Sequence, residues 1–191
     1  MPSAPRYVPF VAVFVPFALL LTAGNLYAEI SANLALGRVA ASILLSAAFA
    51  LPAVVLFFRY DLTAHPLAFR YWQLLWTFAF AATALHYYYT VGVWFDWDFA
   101  QIWRRYTGLV TVTNCVLLGL WGVDVLFGLG GATAGGRPIR ILRWVTHTLF
   151  VVGFVTAGIV FTSDARTWLS YGFGVALVAA ALGALALRWG R

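Results

Sequence analysis

Lysine is missing from this chain altogether, and its 12 basic residues are all arginine. Without a lysine amine no Schiff base can form, which excludes every mechanism built on one, covalent retinal included. Cys115 is the single cysteine among 191 residues, so neither an intrachain disulfide nor a cysteine metal cluster can be made. It falls within an apolar run and reads as a small buried hydrophobe. Met1 is the lone methionine. Charge is scarce as well: 9% of residues carry one, against roughly a quarter in soluble domains.

What fills the chain instead is apolar surface. Hydrophobic residues reach 63% and mean hydropathy is +0.89. A soluble fold could not hide that much, so the chain is expected in a bilayer. A spanning helix uses about 20 residues at roughly 1.5 Å each. The apolar runs fall at about 9–28, 38–58, 71–93, 107–129, 144–162 and 168–187. They predict an all-α, polytopic membrane protein, a compact bundle of six transmembrane helices in a single domain over residues 1–191. The first run, broken by Pro16, is long for the apolar part of a signal peptide. Gly24, Asn25 and Leu26 also make a poor cleavage site, so the run is expected to stay as a helix. The tract GGATAGG at 130–136 reads as a connector.

Arginine counting orients the bundle. Arg6, Arg59, Arg70, Arg137, Arg140, Arg143, Arg188 and Arg191 fall on one side, and Arg38, Arg104, Arg105 and Arg166 on the other. The richer side is expected to be cytoplasmic, which places both termini there in a cell (inner) membrane. The acids lean outward, with Glu29, Asp96, Asp98 and Asp164 opposite Asp61, and Asp124 inside the fourth run. Arginines spread along helix ends argue for lipid headgroups and against nucleic acid. Rows of small residues at spacing four, Ser42/Ser46/Ala50, Gly153/Ala157 and Ala176/Ala180/Ala184, suit close helix packing in lipid.

Polar groups inside a bilayer are costly, which makes them the first candidates for function. The stretch His86 to Tyr106, HYYYTVGVWFDWDFAQIWRRY, gathers histidine, acids, arginines and tryptophans at the mouth between two runs. On the third run Ala79, Ala82, Thr83, His86 and Thr90 share one helical face. On the fourth, Thr107, Thr111 and Asn114 share another, with Trp121 deeper. His86 and Asn114 lie at similar depth, roughly 10 Å in, and Asn25 and Glu29 end nearby. A ligand-binding outer cluster of Asn25, Glu29, His86, Thr90, Thr111 and Asn114 is therefore expected, under a lid holding Trp94, Asp96, Trp97, Asp98 and Trp103. Within it His86, Asp96 and Asp98 are the acid or base candidates. The structural alternatives are a histidine bonded across a helix interface, aspartates paired with Arg104 and Arg105 at a helix start, and an interfacial belt of tyrosines 87–89 with the tryptophans.

Asp124 and His147 form a second, inner pair, expected to hydrogen-bond between antiparallel neighbours and so orient the imidazole or relay a proton. The alternative is an ion pair snorkelling with Arg143 to the headgroups. His86 and His147 sit roughly 15 Å apart on this reading, too far to clamp one haem iron. A metal at His86 with Asp96 or Asp98 has too few ligands, and no metal site is expected. No other cofactor is singled out.

Three functional classes fit these features. The first is an accessory or structural subunit that engages membrane partners, lipid or pigment through an aromatic, polar outer-face pocket. The second is a small-molecule binding or transport module with an outward-facing site. The third is an intramembrane enzyme acting on a lipid or isoprenoid, with aromatic faces steadying a cationic intermediate. The expected partners are the bilayer itself and a membrane protein or hydrophobic small molecule. In length, helix count and termini-in topology the chain resembles the substrate-capturing components of energy-coupling-factor vitamin transporters, whose ligands bind on the outer side under a loop. The threonines between Arg105 and Asn114, together with His147, resemble the androgen-induced-gene type of threonine hydrolase.

Overall fold

A bilayer offers no water to backbone N–H and C=O groups, so apolar runs of this length satisfy them internally as helices. The computed structural model of the chain describes residues 7–106, 108–130, 136–160 and 167–189, apart from the side chains of 109, 154–160 and 167–174. Arg6, Thr107, Asp164, Arg166, Arg191, the connector at 131–135 and the Ala157 side chain lie outside the described residues. Among those described the chain is all-helical, with no strand. It runs α1 (Tyr7–Glu29), α2 (Leu34–Arg59), α3 (Pro66–Tyr87), a π-helical segment (Tyr88–Trp94), α4 (Phe99–Arg105), α5 (Gly108–Leu129), α6 (Arg137–Val160) and α7 (Thr167–Trp189).

Local chemistry sets the ends. The Asn33 side chain accepts from the Leu36 N–H at 3.0 Å and caps α2. Pro66 opens α3, where its missing N–H costs nothing. Asp98 accepts from the Gln101 N–H at 2.9 Å and caps α4. Helix α3 starts at Pro66 and α6 at Arg137, upstream of the apolar runs read from 71 and 144. Hydropathy marks where lipid begins, whereas a proline in the first turn, Pro66 in α3 and Pro138 in α6, marks where the helix begins, and Arg70 and Arg140 separate the two.

Among the described residues three helices are long and apolar enough to cross a membrane by length and composition: α1, α2 and α5 over Val110–Leu129. Helices α3, α6 and α7 have 22, 24 and 23 residues, so they too reach roughly 33–36 Å.

Helix α2 is the hub, packed against α1, α3 and α7, while α3 also meets α5, and α6 lies against both α5 and α7. The α2–α3 seam is antiparallel and lined with small buried residues. Ser46 lies 2.6 Å from the Thr83 hydroxyl and donates to the Ala79 carbonyl at 3.1 Å, with Ala50 and Ala53 continuing the row. Such residues let helix backbones approach where water cannot drive them together. At the α1–α2 corner Gly37 comes so near that a Cβ would stand 2.9 Å from the Ala28 Cα.

Candidate functional site

The buried chemistry gathers where α3, α5 and α6 meet α2. Trp72 and Trp76 stand one turn apart on α3, Arg143 and His147 one turn apart on α6, and Trp121 and Asp124 face them from α5. Asp124, Thr146 and His147 are wholly buried and Arg143 nearly so. Asp124 receives the Trp76 indole N–H at 3.0 Å on one oxygen and the Arg143 Nε at 3.2 Å on the other. His147 Nε2 lies 3.0 Å from the Trp72 indole nitrogen, and its Nδ1 lies 2.8 Å from the Arg143 carbonyl. An indole only donates and a carbonyl only accepts. The proton of a neutral His147 therefore sits on Nδ1, and both ring nitrogens are used.

The expected Asp124–His147 hydrogen bond is thus not what holds this pair. Each finds better-placed partners: the carboxylate takes a cation and an indole, and the imidazole takes an indole and a carbonyl. Nor does Arg143 snorkel to the headgroups. Its guanidinium stays inside, 4.9 Å from the centre of the Trp72 ring and 5.5 Å from that of Phe69. The link between the two halves is stacking. Phe57, His147, Trp76 and Trp121 form a column with ring centres 3.9, 4.0 and 4.4 Å apart, one ring from each of α2, α6, α3 and α5. Phe150 closes its side, edge-on to both Trp76 and Trp121. This arrangement locks helices; it presents no open acid or base to a substrate.

The outer stretch assembles differently from the expected cluster. His86 donates from Nδ1 to the Val39 carbonyl at 3.0 Å, across the α2–α3 interface, and does not bond to Asn114 or Thr111 on α5. Asn25 turns back to the Leu21 carbonyl of its own helix at 3.1 Å. Glu29 pairs with Arg38 at 3.0 Å, and that guanidinium lies 5.8 Å from the Tyr89 ring centre. Among the described residues Thr111 reaches the Tyr106 carbonyl, at 3.5 Å. The Thr90 hydroxyl is buried with no hydrogen-bond partner among the described residues. Between Asn25, Arg38, Ser42 and Tyr89 there is a void of about 10 Å³, room for about one water. Asn25, the Glu29 partner Arg38 and the His86 neighbour Ser42 thus border one small void between α1, α2 and α3, whereas among the described residues no hydrogen bond joins Thr111 or Asn114 of α5 to them. The threonines and His147 of the hydrolase resemblance are likewise apart, with Thr111 at the start of α5 and His147 stacked on Trp76, which in turn packs on Trp121, ten residues further along α5.

The lid itself is built with care. Asp96 and Trp97, neither a glycine, have φ of 47° and 59°. Three backbone bonds hold the turn: Phe95 N to Thr90 O, Trp97 N to Val91 O and Asp98 N to Phe95 O, at 3.1, 2.9 and 2.8 Å. Phe95 and Ile102 are buried beneath it. The Trp97 indole lies flat on Gly92, where a Cβ would come within 2.8 Å, and Trp103 covers Gly108 in the same way. Trp94, Trp97 and Trp103 are nevertheless 42, 55 and 55% exposed. The expected pairing of Asp96 and Asp98 with Arg104 and Arg105 is not formed among the described residues; Asp98 is spent on capping α4.

A space that sequence reading did not find lies at the opposite end. A groove of about 860 Å³ runs between Leu51, Pro52, Val55 and Leu56 of α2, Leu67, Ala68, Tyr71 and Leu75 of α3, and Ala180 of α7. Tyr60, Ala64 and His65 of the α2–α3 loop form its mouth. Asp61 orders that loop, accepting from the Thr63 hydroxyl at 2.7 Å and the Thr63 N–H at 3.1 Å. These two bonds hold its carboxyl below the usual value. Such a groove leaves no periodic signal, since its walls are ordinary lipid-compatible residues on three helices.

No family model matches the chain, and no curated protein or solved structure matches it. Its class is defined by its own residues. It is a helical, aromatic-rich membrane protein.

Proposed function

We propose that the chain is a multi-pass accessory or structural subunit of the cell (inner) membrane, with six spans and both termini cytoplasmic, that engages a membrane-protein partner through its outer aromatic turn. The six-span reading adds α3, α6 and α7 to the three most apolar helices. It is supported by the internal pairing of Asp124, Arg143 and His147, which removes the main cost of placing α5 and α6 in lipid. Orientation rests on the arginine asymmetry.

The observation that carries the reading is the Asp96–Trp97 turn. A left-handed non-glycine residue costs of order 1–3 kcal/mol and persists only where its surroundings fix it. Here two in succession are fixed, and the result is display of three tryptophans. The π-helical segment that feeds the turn belongs to a class of irregularity frequent at functional sites. Rigid, exposed tryptophans are the side chains that anchor interfaces.

Purification of the full chain in mild detergent tests this. A stoichiometric membrane-protein partner is expected, and it should be lost when Trp97 and Trp103 are both changed to alanine. A solitary, monodisperse protein would overturn the subunit reading, as would a partner retained by the double variant. A reporter fused at Arg191 is expected to be cytoplasmic; an external signal would overturn the orientation.

A further inference from the structure

We infer that the groove between α2, α3 and α7 binds one acyl chain of an anionic phospholipid, whose phosphate is held by the arginines at the groove mouth. The inference rests on the membrane-spanning reading but not on the partner proposed for the opposite end.

Length is the first argument. The α2 wall runs from Leu51 to Tyr60 and the α3 wall from Leu75 back to Pro66. Nine steps of roughly 1.5 Å make about 14 Å, half of a hydrocarbon core of about 30 Å. The groove thus begins at the interface and descends through one leaflet. Its volume of about 860 Å³ lies inside the range of roughly 300–1,000 Å³ typical of ligand sites. A partner helix fits less well. With a diameter of about 10–12 Å, 14 Å of helix occupies roughly 1,100–1,600 Å³, so it could seat only partway, whereas an acyl chain can enter entirely.

Charge is the second argument. The helices that wall the groove carry arginines at the same ends as its mouth: Arg59 ends α2 with its guanidinium 5.7 Å from the ring centre of the mouth residue Tyr60, Arg70 lies in the first turns of α3 and Arg188 ends α7, while Asp61 is the one acid of the α2–α3 loop. Arg59 donates to the Leu187 carbonyl at 2.7 Å, which ties α7 to the mouth. Arg188 is close enough for its charge to act on Asp61. Arg70 is exposed and forms no ion pair among the described residues. Three arginines at these helix ends against one loop carboxylate leave positive charge at headgroup level, where a lipid phosphate completes it. Ala64, Ala68 and Ala180 are the small residues that keep the space open.

Native mass spectrometry of the purified full chain, titrated with phosphatidylglycerol or phosphatidylcholine of matched chains, tests both arguments. One equivalent of phosphatidylglycerol should be retained in preference to phosphatidylcholine. Arg70→Gln should lower that preference about fivefold while leaving phosphatidylcholine unchanged. Ala180→Trp, which fills the groove from α7, should abolish the first site for both lipids; if it fails to fold, Ala64→Trp at the mouth decides in its place. Equal retention of the two lipids, or full retention in the filled variant, overturns the proposal, as does a lipid-free dimer that the Ala64→Trp change dissociates. The Trp97/Trp103 double-alanine variant should bind phosphatidylglycerol normally, so loss of the partner and loss of the lipid are separate outcomes.

Discussion

Arg143 and Asp124 show what one buried pair demands. With both inside the bundle, removing the arginine leaves a carboxylate that still accepts from Trp76 but has lost its cation. Arg143→Ala is expected to cost about 3–5 kcal/mol, measured by equilibrium unfolding in mixed micelles. Replacing the two together by leucine and methionine should cost much less, because no charge is then stranded. Trp72→Phe keeps a ring beside Arg143 but deprives His147 Nε2 of its donor, for a loss of about 1–3 kcal/mol. Sequence reading found Asp124 and His147 because polar groups stand out in an apolar run. It named Arg143 as the alternative ion-pair partner, which Asp124 does take, but it missed the indole donors Trp72 and Trp76 because tryptophan in a membrane chain reads as an interfacial belt. The i, i+4 spacing of Trp72 and Trp76, matched by that of Arg143 and His147, was the available signal. In the α2–α3 loop Asp61 offers a pH test. Its folded pKa is depressed by Thr63, so the unfolded chain holds its proton more tightly, and the stabilisation is present at neutral pH and lost as pH falls. Asp61→Asn should lower the melting temperature at pH 7, and that deficit should close below about pH 3–4.

At the scale of elements, helix existence was readable and helix ends were not. Apolar length marks a span, but the continuation of α3 to Pro66 and of α6 to Arg137 goes with a proline in the first turn of each. Helix α4 was hidden in a stretch dense with aromatics and charge. Its signature is Asp98 followed three residues later by Gln101, the spacing of a capping pair, and the Asp98 oxygen does accept from the Gln101 N–H. The left-handed turn before it has no such signature, since Asp96 and Trp97 are not residues that choose positive φ unaided. Glycine adopts that conformation without the Cβ clash. Asp96→Gly is therefore expected to raise stability by about 1 kcal/mol, read as a higher unfolding midpoint in detergent. A lower midpoint would mean that the Asp96 side chain, and not only its backbone, holds the turn.

Four of the molecule's helices, α2, α3, α5 and α6, are joined by one stack of rings. Depth along each helix could be estimated from sequence, yet which helices face one another could not, so groups at one depth were assigned to a single outer pocket, while among the described residues no hydrogen bond joins Thr111 or Asn114 of α5 to the groups of α1 and α3. The column of Phe57, His147, Trp76 and Trp121 draws one ring from each of four helices, and Trp76 is its centre. It stacks on two members and also donates to Asp124. Trp76→Ala removes the ring, the hydrogen bond and the contact with Phe150 at once, and a loss of about 3–5 kcal/mol is expected. Location distinguishes this from general loosening. Helix α2 keeps its own seam with α3 through Ser46, Thr83 and the small residues around them, and α1 meets α3 through Phe10, Phe14 and Phe17 against Phe78, whereas α5 and α6 share the column with α3 and α2. Hydrogen exchange in the variant should therefore quicken across α5 and α6 while the α2–α3 seam near Ser46 stays protected. Equal acceleration in both regions would show that the seam, too, depends on the stack.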